Sequence, residues 1–211
     1  MSSDAAVPEC LTDPRDRFLT AQAPLLPMPR FGALPPPPIG GHQYVGAADG
    51  LYVQARHHGI ETTAPLTRIA LPYGPLQPAL RLSGGPIPPE IVHSMARAAV
   101  AACPLEWAGV VQWDEAARHY DLSFPRIIAR SEGEITYDTQ HIDPERVVCI
   151  VHSHGHHPAF FSIKDDSTDR SGLYVAAVLG NCHSLKSLSC CSRLVVEGHR
   201  FPLPHPPWVA P

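Results

Sequence analysis

Val147-Val148-Cys149-Ile150-Val151-His152-Ser153-His154 is the stretch whose reading decides this chain. An unbroken apolar run that ends in two histidines one residue apart describes a buried strand carrying imidazoles at its tip. Side chains alternate faces along a strand, so His152 and His154 project to the same side. Ser162-Ile163-Lys164-Asp165 follows. Asp165 stands eleven residues after His154, enough for a loop to leave the strand, turn, and present a helix start to the imidazoles. Two imidazoles and a carboxylate make three ligands for a metal, and Zn2+ suits that set. Three protein ligands leave one corner of a tetrahedral zinc open, the arrangement of a catalytic rather than a structural site.

Each piece has a plainer explanation on its own. Ser162 and Asp165 have the spacing of a capping box at a helix start. A lone H-x-H pair is more often a surface or core pair than a ligand pair. The combination carries the metal reading, and Glu106 extends it. This glutamate precedes a short apolar strand expected over residues 109–113 and is the carboxylate available to act as a general base. His156 and His157 are rival ligands, read here as a solvated loop. Asp166 is a rival to Asp165, and the interval from Ser162 favours Asp165. Asp143 and Glu145 are near in sequence as outer partners for the imidazoles, without a placement.

Taken together, Glu106 and Gly109, then His152-Ser153-His154, then Ser162 and Asp165 resemble the JAMM/MPN+ metalloproteases, the JAB domain. That family's pattern reads E-x-x-G…H-[ST]-H-x(7)-S-x-x-D, and this chain matches its intervals over roughly residues 88–198. One departure is Gly155, where the family usually has proline. The resemblance implies an α/β fold with a mixed, curved, cytidine-deaminase-like sheet flanked by helices. It also implies a hydrolase in which His152, His154 and Asp165 hold zinc, Glu106 moves the proton, and Ser162 stabilises an oxyanion. A closer resemblance, through His154-Gly155, residues 158–162, Asp165-Asp166 and residues 178–181, is to the JAB-domain proteins of bacterial plasmid-associated PRTRC cassettes. Those cassettes also encode an E1-like ThiF-type protein and a small ubiquitin-like protein. The implied substrate is that ubiquitin-like protein or its conjugate, cut at an amide of its C-terminal tail. The alternative is a metal-binding scaffold of the same fold without catalysis. Degenerate members of the fold usually lose ligands or the glutamate, and here all are present. A zinc deaminase would need H-x-E with a downstream C-x-x-C, and neither occurs.

Composition bounds the rest. With 211 residues and 44% apolar content, the chain is long enough for one generous domain or two small ones. A net charge of -4 and no basic stripe argue against nucleic acid as a partner. No apolar run reaches the ~20 residues that span a bilayer, and no secretory signal is visible, so the expected compartment is cytoplasmic. The six cysteines form no C-x-x-C, and Cys103 and Cys149 read as small core residues.

The 25 prolines punctuate the ends. Residues 1–40 read as a proline-rich, extended or mobile segment. Residues 41–86 read as a small β-rich N-terminal subdomain with a hairpin about His57-His58-Gly59. Residues 87–200 read as the JAB domain and 201–211 as a peripheral proline-rich tail. Within the JAB domain a helix is expected to start at Pro88-Pro89-Glu90 and to stop before Pro104. Strands are expected over residues 118–129, 134–137, 146–154, 173–179 and 193–197.

Overall fold

The computed structural model describes residues 13–209. Among these the chain forms two compact units, one of residues 13–57 with 61–81, the other of residues 58–60 with 82–209.

The first unit opens with α1 (Pro14–Gln22), where an extended segment is expected from the proline content. Asp13 explains the helix: its carboxylate accepts from the Arg15 amide at 2.8 Å, and Pro14 fills a first-turn position that needs no N–H. Residues 1–12 lie outside the described residues. Residues 33–38, with the four prolines, take no regular structure. A five-stranded sheet follows in the order β1-β2-β3-β4-β5, made of β1 (Leu25–Pro27), β2 (Gly41–Ala47), β3 (Gly50–Arg56), β4 (Ile60–Arg68) and β5 (Ala79–Leu82). The expected hairpin is β3–β4, antiparallel. β1 pairs parallel with β2, so part of the proline-rich N-terminal stretch is woven into the sheet. Val45, Ala47 and Tyr52 form its core, with Met28, Leu34 and Leu76 packed against them.

The second unit begins with α2 (Pro89–Ala102), as the proline-glutamate start predicts, and buries Met95 and Ala99. Then come β6 (Ala108–Asp114), β7 (His119–Ser123), β8 (Arg126–Arg130), β9 (Ile135–Asp138), a 3-10 turn (Pro144–Arg146) and β10 (Val147–Ser153). The chain continues through α3 (Ile163–Thr168), β11 (Leu173–Gly180), β12 (Ser189–Val196) and β13 (His199–Pro202). Six strands make one sheet in the order β13-β12-β11-β10-β6-β7. β10 and β11 are parallel, and the other neighbours are antiparallel, so the sheet is mixed. β10 and β11 are central, which explains their nearly continuous apolar runs. Val148, Val151, Val175 and Val178 are fully buried, each contributing ~1.5–3 kcal/mol of apolar burial.

The second unit departs from expectation at two further places. The single strand expected over 118–129 is two strands in two sheets. Arg118 sits at φ 54 in a turn, and the chain leaves the large sheet after Ser123, before Pro125, which has no N–H to give a ladder. β8 then pairs with β9 as a separate ribbon. The C-terminal tail is packed rather than peripheral: Pro207 is buried, its carbonyl accepts from the Ile87 amide at 3.1 Å, and Leu203 donates to Ser192 at 3.0 Å.

Candidate metal centre

β10 delivers the histidines. Its parallel ladder sets His152 opposite Val178 of β11, and its antiparallel ladder sets His152 opposite Ala108 of β6. Ser153, between the two histidines, is fully buried and binds the segment next to Glu106. Its amide donates to the Trp107 carbonyl at 2.8 Å, and its hydroxyl accepts from the Trp107 amide at 2.9 Å. The Glu106 amide donates in turn to the Ser131 carbonyl at 2.9 Å. Thus the general-base candidate and the imidazoles are tied together through backbone, although 46 residues separate Trp107 from Ser153.

Gly155 continues the chain at φ 53, and a Cβ there would lie 2.3 Å from the Pro104 carbonyl oxygen. Proline, with φ near −65°, does not fit this backbone. Gly155→Ala is expected to lower stability by at least ~1–2 kcal/mol, because the left-handed region and the carbonyl both oppose a side chain. Thermal denaturation checks this, and an unchanged melting temperature would contradict the assigned backbone.

α3 brings the carboxylate. Ser162 caps the helix: the Asp165 amide donates to its hydroxyl oxygen at 3.2 Å, and the Ser162 amide donates back to Asp165 Oδ2 at 2.6 Å. The Ser162 hydroxyl also donates to Asp165 Oδ2, at 2.7 Å. So the capping box and the proposed ligand are the same residues. The box holds Oδ2 while Oδ1 faces His152, with 3.1 Å between Oδ1 and His152 Nε2.

His152 Nε2 also lies 3.1 Å from His154 Nε2, and His154 Nε2 lies 3.8 Å from Asp165 Oδ2. Among the described residues, His152, His154 and Asp165 are the one group of three or more such side chains whose ligand atoms all lie within 4.8 Å of one another. The geometry fits a small cation. Bonds of ~2.0–2.1 Å in a tetrahedron separate the ligand atoms by about 3.3 Å. One proton can bridge only one pair of these three atoms, whereas one cation satisfies them all.

Electrostatics agree. Burial, then the neighbouring His152 charge, lowers the pKa of His154, which favours the neutral, ligating imidazole. Burial pushes Asp165 up, but hydrogen bonding and charge from His152, with hydrogen bonds from Ser162, win and hold it well below the usual carboxylate range. Glu106 is only 4% exposed. Burial, reinforced by the Asp165 charge and opposed by His152, raises it from 4.5 to about 7. Glu106, His152, His154, Ser162 and Asp165 line one cavity of about 660 Å3. The Phe160 ring stands edge-on to His154 at 4.6 Å, an apolar wall beside the imidazole.

The rivals are placed elsewhere. His156 Nδ1 lies 3.3 Å from Cys103 Sγ, so Cys103 has a polar neighbour rather than a purely apolar one. His157 lines the cavity outside the ligand group. Asp143 caps the 3-10 turn through the Glu145 amide at 3.0 Å. Asp166 Oδ1 is bound by Arg193 Nη1 at 2.5 Å.

Arg193 is the residue that sequence reasoning missed. It is 6% exposed on β12 and binds both carboxylates that follow Asp165. Its Nε donates to Asp169 Oδ2 at 2.8 Å, Nη2 lies 2.7 Å from the same oxygen off hydrogen-bond geometry, and the guanidinium stands 3.9 Å over the Phe161 ring. The signal was an arginine beside the apolar run Leu194-Val195-Val196. This fork fixes α3, and with it Asp165, to the sheet. Arg193→Lys keeps the charge but loses the fork, and is expected to cost ~2 kcal/mol. Urea denaturation checks this, and an unchanged midpoint would show that the fork does not anchor the helix. Lys164 adds a tie from α3 to Glu134 in the β8–β9 ribbon.

Residues 88–191, which contain this centre, match the family described as prokaryotic homologs of the JAB domain. This part of the chain is a JAB-like domain. Residues 13–83 match a family described as a domain of unknown function, DUF2016. A search of curated proteins gives no match. Among solved structures, a protein of Desulfitobacterium hafniense known from its solution structure is similar at 15% identity and a TM-score of 0.42, covering 56% of this chain and 88% of that one. Among the described residues, no helix is long and apolar enough to cross a membrane.

Proposed function

We propose that the JAB-like domain is a zinc-dependent peptidase or isopeptidase of the JAMM/MPN+ type. Its substrate is an amide at the C-terminal tail of a ubiquitin-like protein or its conjugate. The observation that carries this reading is the convergence of His152, His154 and Asp165 in one cavity with a buried Glu106. Zinc supplies Lewis acidity when bound: it lowers the pKa of water to about 7 and polarises a carbonyl. His152, His154 and Asp165 would hold the ion, with the Asp165 carboxylate oriented by Ser162.

Glu106 accepts the proton of the attacking water and returns it to the leaving amine. In the metal-free chain burial raises this carboxyl to about 7, so the site can hold a proton near neutral pH, and a bound dication favours the carboxylate that accepts one. Ser162 serves first as the orienting partner of Asp165. Donation to an oxyanion, the role its family resemblance implies, requires its hydroxyl to leave Asp165 Oδ2. The fold accompanying this chemistry is the curved cytidine-deaminase-like sheet, and the setting is a PRTRC-type system with an E1-like ThiF-type protein as a further partner. The engaged Ser162 hydroxyl favours one second reading, a metal-binding scaffold that holds the ubiquitin-like protein without cutting it.

The test is incubation of the zinc-loaded full chain with a PRTRC-type ubiquitin-like protein extended at its C-terminus, with products read by mass. Release of the extension by the wild type and not by Glu106→Gln supports the peptidase. Binding of the intact substrate by both, without cleavage, supports the scaffold.

A further inference from the structure

The cavity extends well past the metal ligands. On β10, Ile150 shares a face with His152, and on β11 Tyr174 and Ala176 lie on one face by the same period of two. Residues on the opposite face, Val151, Val175 and Ala177, are fully buried. Among the apolar residues that line the cavity, Val110 is fully covered, Ala176 keeps 6% exposure, Val147 and Ile142 keep 7% each, and Ile150 and Tyr174 are half-buried. All six line the same 660 Å3 cavity as Glu106 and His152. α3 stops at Thr168, and β9 supplies the facing wall through Ile135 and Tyr137.

This volume lies within the ~300–1,000 Å3 of pockets that hold small organic groups. Its floor is hydrocarbon. At its polar end the charges are paired, since Asp169 accepts from Tyr174 at 2.8 Å and from Arg193 at 2.8 Å. No unpaired charge therefore waits for a charged guest there. The guest that fits this floor is neutral and apolar, and because floor and metal centre line one continuous cavity, a group held near the metal centre can reach it.

We propose that this pocket is a side-chain subsite, taking a large apolar or aromatic group attached close to the carbonyl of the scissile amide. The inference rests on the zinc-hydrolase reading above and narrows its substrates to amides that carry such a group. Burying the group beside Ile150, Tyr174 and Ala176 discriminates against substrates with only glycine there.

The test compares two metal-chelating probes on the zinc-loaded full chain by calorimetry: acetohydroxamate, and 3-phenylpropionohydroxamate, which adds a benzyl group to the same chelator. The expected result is roughly 30-fold tighter binding of the phenyl probe, from burial of one ring. Ala176→Leu and Ile142→Trp, which fill the pocket from different elements, should reduce that gain to less than about threefold and leave acetohydroxamate unchanged. Equal binding of both probes to the wild type, or a gain that survives in both variants, overturns the subsite and leaves the metal centre standing. Failure of both probes to bind overturns the metal reading itself, and the subsite with it.

Discussion

Replacing His152 with alanine is expected to weaken zinc binding by more than ~100-fold. Loss of an outer hydrogen-bond partner of a zinc ligand alone costs ~10–100-fold, and His152 is nearer than that. Its Nε2 lies 3.1 Å from both His154 Nε2 and Asp165 Oδ1, whereas His154 Nε2 and Asp165 Oδ2 are 3.8 Å apart, so His152 makes the two short approaches of the group. Asp165→Ala should do the same and should also loosen the start of α3, because Asp165 closes the capping box. His156→Ala is the control. His156 lies against Cys103 Sγ, outside the ligand group, and its loss should leave zinc affinity within about twofold. Competition against a chromophoric chelator reads all three. Equal loss in the His156 and His152 variants would mean that the ion is held elsewhere.

Glu106→Gln should lower amide hydrolysis by ~10²–10⁴-fold while leaving zinc content unchanged. The same substitution has a second signature that needs no substrate. The folded-state pKa of Glu106 is raised from 4.5 to about 7, so the folded chain holds this proton more tightly than the unfolded chain. Below about pH 4.5 the group is protonated in both states and carries no penalty. Between about 4.5 and 7 the unfolded state releases its proton first, and stability falls as pH rises. Above about 7 the penalty is complete, up to ~3 kcal/mol. Glutamine cannot titrate and escapes it. Metal-free Glu106→Gln should therefore melt ~5–10 °C above the metal-free wild type at pH 8, and the gap should close towards pH 5. A gap that is constant with pH would show that Glu106 is not held in a desolvating site.

Much of the site was legible because its signals are local. The period of two along β10 places His152 and Ile150 on one face, and the Ser162–Asp165 interval fixes a helix start, whether the purpose is a cap or a ligand. The structure joins these readings, since the cap is what orients the proposed ligand Asp165. Glu106 was legible only through its spacing to Gly109. Its closeness to the imidazoles depends on Ser153 binding both backbone groups of Trp107, a tertiary pairing with no sequence period.

The less legible parts share that cause. The strand break before Pro125 follows from a choice between two sheets, and local propensity favours extended backbone on both sides of it. Arg193 looks like an ordinary polar residue at the edge of an apolar run until α3 is docked on β12. The hollow beside Ile150 and Tyr174 depends on what does not cover a sheet face, and a hydrophobicity pattern reads that face as ordinary core. At the N-terminal end, proline content argued for extended chain, and the cap of Asp13 with Pro14 in the first turn gave a helix instead.

X-ray absorption on the zinc-loaded protein, with metal content counted, reads the ligands of the ion itself. One zinc per chain is expected in a shell of nitrogen and oxygen at ~2.0–2.1 Å, with the scattering of two imidazoles and no sulfur. A sulfur shell at ~2.3 Å, or zinc well below one per chain at saturation, would contradict it.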